Sequence, residues 1–239
     1  MHLLLIIFLL EPKTILELPG SFTTFQFYEN AVYLASFNGK SIIKIDSIGN
    51  FSSFPVTNQD NNRIYEFKIT PFSFYLNTSI GLVKVNNISG VTEIIYKSDI
   101  TTFVITNTEE VVFADRLTNE LIFLDTDNKI KFQKKNVNVN DMDYYDNKIY
   151  LLTPKGILVL DEYGNTLEFI KIPEKLNHIT VDKEIYLFSV LTNVVYKKEK
   201  EWKRIELKHP IIDLKLSKEH MLTLNQYGDY LYMYDKSDF

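Results

Sequence analysis

The side chains best suited to chemistry here are few: the histidines His2, His178, His209 and His220, and the pair Asp115-Arg116. No His-Glu-x-x-His or His-x-His spacing is present, so a zinc site on one helix or strand is not indicated. With no cysteine, thiolate metal sites, disulfides and a Cys nucleophile are excluded. Gly-x-Ser-x-Gly, the P-loop and Gly-x-Gly-x-x-Gly are missing too, which removes support for nucleophile-elbow hydrolysis and nucleotide binding. Asp115-Arg116 can hold a polar ligand through charged hydrogen bonds, or the two can pair with each other or across a sheet. His178 and His209 read either as polar loop residues or as parts of one ligand or metal site.

These residues sit in a strongly periodic chain. Six apolar triplets are centred on Tyr33, Tyr75, Phe113, Tyr150, Tyr186 and Leu222, and the centres step by 42, 38, 37, 36 and 36 residues. A steady period of this size means one supersecondary unit per repeat. Each triplet is followed by a loop and a second apolar run, then a turn former: Asp46, Asn86, Asp125, Asp161 and Asp235, with Lys197 departing from the pattern. A further β-rich segment precedes each triplet, starting with 24–28 and ending with 212–216. Another follows the turn of the first five repeats. In residues 148–173 (KIYLLTPKGILVLDEYGNTLEFIKIP) three of these strands are bounded by clean Gly, Pro, Asn and Asp punctuation.

Four antiparallel strands per repeat, six times over, predict an all-β fold: a six-bladed β-propeller of four-stranded blades. The sixth repeat stops short of an outer strand. Residues 14–19 (TILELP) resemble the other outer strands, so the N-terminal strand is expected to complete the last blade, cover its edge and bury Ile15, Leu16 and Leu18. No linker interrupts the array, which places one domain over 14–239. Residues 3–10 (LLLIIFLL) are too short for a stable membrane span; residues 1–13 read as an export signal or an apolar N-terminal segment, and the expected location is extracytoplasmic. The polar stretch TNQDNN, 57–62, reads as a loop insertion between repeats.

Residues 111–125 (VVFADRLTNELIFLD) resemble a blade of the NHL-repeat or TolB-like six-bladed propellers through Ala114-Asp115, Asn119, Ile122 and Asp125, with Asn128 at the usual turn glycine. The resemblance implies a binding scaffold for proteins, peptides, sugars or nucleic acid. A minority of related architectures are hydrolases or lactonases with a central metal.

In such a propeller Asp115, Arg116, His178 and His209 fall on one face near the channel mouth. Asn38, Asn77, Asn225 and Gln226 occupy equivalent loops, and Asp115, Arg116, His178, His209 and Asn225 are the expected ligand contacts. The net charge of −5 argues against nucleic acid as a partner. The expected function is a non-catalytic module, a monomer without a cofactor, that binds a protein, peptide or glycan. The alternative is a hydrolase or lactonase assisted by Ca²⁺ or Zn²⁺, for which Asp115, Asn140 and Asn177 are conceivable ligands. Trp202, within KKEKEWKR (197–204), either packs on the neighbouring repeat or contacts a partner.

Overall fold

The computed structural model describes residues 11–56 and 63–239. The apolar run 3–10 and the loop 57–62 lie outside the described residues. Strand β1 is Thr14–Glu17. The first sheet holds β2 (Thr24–Tyr28), β3 (Ala31–Ala35), β4 (Ser41–Ile45) and β5 (Phe51–Pro55). The second holds β6 (Ile64–Ile69), β7 (Ser73–Thr78), β8 (Gly81–Asn86) and β9 (Thr92–Tyr96). The third holds β10 (Ile100–Ile105), β11 (Val111–Asp115), β12 (Glu120–Leu124) and β13 (Ile130–Lys135). The fourth holds β14 (Asp141–Tyr145), β15 (Lys148–Thr153), β16 (Gly156–Asp161) and β17 (Thr166–Ile170). Each is an antiparallel meander in chain order.

The remaining strands differ from expectation. In place of two further four-stranded sheets there is one seven-stranded sheet, ordered β1-β23-β22-β21-β20-β19-β18. Besides β1, its members are β18 (His178–Val181), β19 (Ile185–Phe188), β20 (Thr192–Lys198), β21 (Trp202–Leu216), β22 (His220–Asn225) and β23 (Tyr230–Asp235). The cause is β21, which runs unbroken for 15 residues. Its first half pairs with β20 and its second with β22, so the outer strand of one repeat continues into the inner strand of the next without a turn. Residues 208–211 (KHPI) contain no glycine or asparagine to make one.

The turn formers read from the sequence cap the hairpins between third and fourth strands. Asp46 Oδ1 accepts the Ile48 and Asn50 amides, and Asp161 Oδ1 accepts those of Tyr163 and Asn165. Between neighbouring sheets lie buried apolar clusters. Tyr33 and Phe74 pack between the first and second sheets, Tyr75 and Phe113 between the second and third, and Phe123 and Leu151 between the third and fourth. Another cluster, with Tyr186, Leu214 and Tyr234, lies within the seven-stranded sheet, which curls so that its two halves pack on each other.

The first strand of each four-stranded sheet, with β18 and the second half of β21, stands innermost. Neighbour follows neighbour in a closed cycle: β2, β6, β10, β14, β18, β21 and back to β2. The architecture is a β-propeller. Strand β1 pairs with β23 at the sheet edge, Thr14 opposite Met233 and Glu17 opposite Tyr230. Only part of its expected burial is realised: Leu18 is 7% exposed, but Ile15 is 56% and Leu16 37% exposed, because an outer strand has solvent beyond it.

Candidate functional site

The inner strands share an alternating pattern whose apolar members, Phe25, Phe67, Phe103, Met142, Ile179 and Leu214, are buried. The residues before them form one tier at the axis: Thr24, Glu66, Thr102, Asp141, His178 and Asp213. Two positions on lie Gln26, Lys68, Asp143, Thr180 and Lys215. Together they line an axial recess of about 330 Å³.

These groups are bonded to one another. Asp213 Oδ2 accepts the Thr24 hydroxyl (2.9 Å) and the Phe25 amide (3.0 Å), which ties the seven-stranded sheet to the first sheet. Asp141 Oδ2 accepts the Ile179 amide (3.0 Å) and meets His178 Nδ1 (3.1 Å). Asp143 Oδ2 accepts the Val181 amide (2.7 Å). Each of these aspartates holds the next inner strand by a backbone N–H. Lys68 pairs with Glu66 Oε1 (3.1 Å) and Lys215 with Asp213 Oδ1 (3.0 Å).

The Thr102 hydroxyl lies 3.1 Å from Glu66 Oε2 and 3.0 Å from Asp141 Oδ1. One hydroxyl proton cannot serve two carboxylates. The bonds are satisfied when Glu66 is protonated on Oε2 and donates to Thr102, which donates to Asp141, while Glu66 Oε1 accepts from Lys68. Burial and the nearby Asp141 raise the Glu66 carboxyl above its ordinary range despite Lys68. Burial opposes the charged form of Asp141, but its bond to His178, the His178 charge and the Ile179 amide outweigh it and lower its pKa. Burial likewise disfavours the His178 imidazolium, and Asp141, aided by Asp213, outweighs it, so His178 titrates above its ordinary value.

A second recess of about 340 Å³ opens beside the first and shares Thr101, Asn140 and His178 with it. Asp115, Arg116, Asn119, Asn138 and Asn177 also line it. Asp115, Arg116 and His178 therefore meet at one mouth. Asp115 and Arg116 do not pair: Asp115 Oδ1 caps its own turn through the Leu117 and Thr118 amides, and Arg116 forks onto Asp99 with its Nε 2.9 Å from Oδ2.

His209 does not approach His178. It lies within β21 and not in a loop, and stacks on Tyr232 at 4.8 Å. Asn225 is buried and spent on its turn, accepting the Asp229 and Tyr230 amides. Asn77 donates across sheets to the Ile100 carbonyl (3.0 Å). Trp202 packs with Ile170 and Ile172 of the preceding repeat and donates to the Lys171 carbonyl. Among the described residues no group of three or more His, Asp or Glu side chains is placed to hold a metal ion. No described helix is long and apolar enough to cross a membrane.

Sequence reasoning missed the axial charges Glu66, Lys68, Asp141, Asp143, Asp213 and Lys215. The signal was there: Tyr-Glu-Phe-Lys-Ile, Asp-Met-Asp-Tyr and Ile-Asp-Leu-Lys-Leu place charges on alternate positions of strands the topology makes innermost.

No family model matches the chain, and no curated protein is similar to it in sequence. Solved structures are. An auxiliary nutrient binding protein from Bacteroides thetaiotaomicron aligns with a TM-score of 0.68 at 9% identity, over 91% of this chain and 69% of that one. A catalytically inactive virginiamycin B lyase from Staphylococcus aureus with quinupristin aligns at 0.65 and 12% identity, over 90% and 82%. A streptogramin B lyase aligns at 0.63 and 12% identity, over 88% and 78%. At these identities the likeness is one of fold, the β-propeller, a scaffold shared by binding proteins and enzymes.

Proposed function

We propose that the chain is a non-catalytic binding module: a single NHL-type propeller domain over 14–239 that uses its channel-mouth face to bind a protein, peptide or glycan. The closed cycle of inner strands supports counting the seven-stranded sheet as two blades, for six in all, with β1 the outer strand of the last. The observation that carries the functional reading is the engagement of the axial carboxylates. Asp141, Asp143 and Asp213 each hold a backbone amide of the neighbouring inner strand, and Glu66 is bonded to Thr102 and Lys68. Groups used to fasten the scaffold are poorly free to ligate a metal or exchange protons with a substrate, whereas the mouth presents unengaged polar side chains. The apolar run at residues 3–10 supports action outside the cytoplasm.

Elemental analysis of the purified full chain, alongside ester and lactone hydrolysis with and without EDTA, tests the reading. The expected result is no stoichiometric Ca²⁺ or Zn²⁺ and no EDTA-sensitive turnover. Turnover that disappears with EDTA and returns with metal would establish the metal-assisted hydrolase instead.

A further inference from the structure

The second recess has a chemical character of its own. The side chains of Asn119, Asn138 and Asn177 are exposed and make no hydrogen bond to another described residue. Asn140 is nearly free as well, its one side-chain contact being 3.5 Å to the Leu176 carbonyl. Every amide offers a donor pair and an acceptor side by side, the pattern that matches vicinal hydroxyls. The charges around them are already engaged: Arg116 by Asp99, Asp115 by its turn amides and His178 by Asp141. A charged ligand finds no unpaired counter-ion here, while a neutral hydroxyl-bearing one meets several open hydrogen-bond partners.

An aromatic surface lies in the adjoining axial recess. Tyr65 is 45% exposed and lines the axial recess, which shares Thr101, Asn140 and His178 with the second one. Its ring is braced from one side by Phe37 at 5.6 Å. An exposed ring in the adjoining recess offers an apolar surface to the C–H face of a sugar whose hydroxyls meet the amides. The recess volume, about 340 Å³, falls within the range of small-molecule sites, about 300–1,000 Å³.

We propose that the recess lined by Asn119, Asn138, Asn140 and Asn177, with Tyr65 in the adjoining axial recess, binds an uncharged oligosaccharide. This assignment rests on the binding-module reading and narrows its ligand to one class.

The test is binding of the full chain to an array of neutral and acidic oligosaccharides, with a panel of capped neutral peptides on the same surface. Asn138→Ala/Asn177→Ala and Tyr65→Ala are compared with the parent, and Gln133→Ala, an exposed amide on the outer strand β13, serves as control. Neutral glycans are expected to bind. The double variant should weaken binding about tenfold or more, since each lost hydrogen bond accounts for about fivefold. Gln133→Ala should bind like the parent. Peptide binding that the double variant abolishes, with no glycan bound, would overturn the sugar assignment and leave the binding module standing. Binding confined to acidic glycans would also overturn it. No binding to any probe would count against both.

Discussion

Replacing Asp213 should loosen the join between the two ends of the propeller. Asp213 is 8% exposed and belongs to the seven-stranded sheet, but two of its partners, Thr24 and Phe25, lie on β2 of the first sheet. In Asp213→Ala the Phe25 amide, on a residue with 0% exposure, and the Thr24 hydroxyl lose their acceptor where water has little access. A buried donor left unmet costs about 1–3 kcal/mol. The same change leaves Lys215 without its 3.0 Å partner. Removing one side of such a buried charged network costs about 3–5 kcal/mol. For a domain of this size that corresponds to a fall in Tm of about 10 °C. Asp213→Asn keeps one acceptor oxygen for Phe25 and should lose less than half as much. The assay is thermal unfolding by circular dichroism, with Asp127→Ala as control, a carboxylate whose side chain is 75% exposed. If Asp213→Ala melts with the parent, or no lower than Asp213→Asn, the closing role assigned to these bonds is wrong.

Three further outcomes are expected. The raised His178 pKa means its stabilisation is complete below the unfolded value, about 6.5, and is lost as pH rises through the folded one. The lowered Asp141 carboxyl contributes above its unfolded value, about 4, and is lost as pH falls through its folded one. Tm should therefore decline on the alkaline side in the parent but not in His178→Gln, and an identical decline in both would contradict the pairing. Glu66→Gln supplies a donor to Thr102 and an acceptor for Lys68, the pattern that lets Thr102 donate to Asp141, so its Tm at neutral pH should match or exceed the parent's; a loss as large as that of Glu66→Ala would show that the charge is needed. Gly228 has φ +71° and a Cβ there would strike the Phe22 backbone, whose amide donates to the Gly228 carbonyl. Gly228→Ala should cost about 2 kcal/mol or more, read as a lower denaturation midpoint in urea, and an unchanged midpoint would argue against tight docking of the N-terminal segment.

Several features were legible from residue types alone. The strand periodicity and the Asp and Asn hairpin caps follow from short-range rules, and the pairing of the N-terminal strand with the last one follows from the repeat count, which leaves the sixth repeat one strand short. Alternation sets which residues face a core, and a turn needs particular side chains at fixed offsets. The expected strand at 24–28 coincides with β2, and Asp161 does what an Asp before Gly-Asn should do. The continuous β21 was harder to foresee, because two weak strands separated by Lys-His-Pro look like strand, loop, strand in one dimension. That misreading put His209 in a loop beside His178, when its strand turns it toward Tyr232.

The tertiary structure alone decided the site. Glu66, Thr102, Asp141 and His178 are 36 to 112 residues apart in sequence, and only closure of the inner strands into a ring brings their polar atoms within bonding distance. The same closure settles the fate of Asp115-Arg116. Adjacent in sequence, the two point to different partners, because the end of β11 turns Asp115 into its own loop and leaves Arg116 facing Asp99. Composition and spacing set the strands and their hairpins; which charges neutralise each other, and hence which asparagines remain free for a ligand, depends on contacts between sheets that no local pattern encodes.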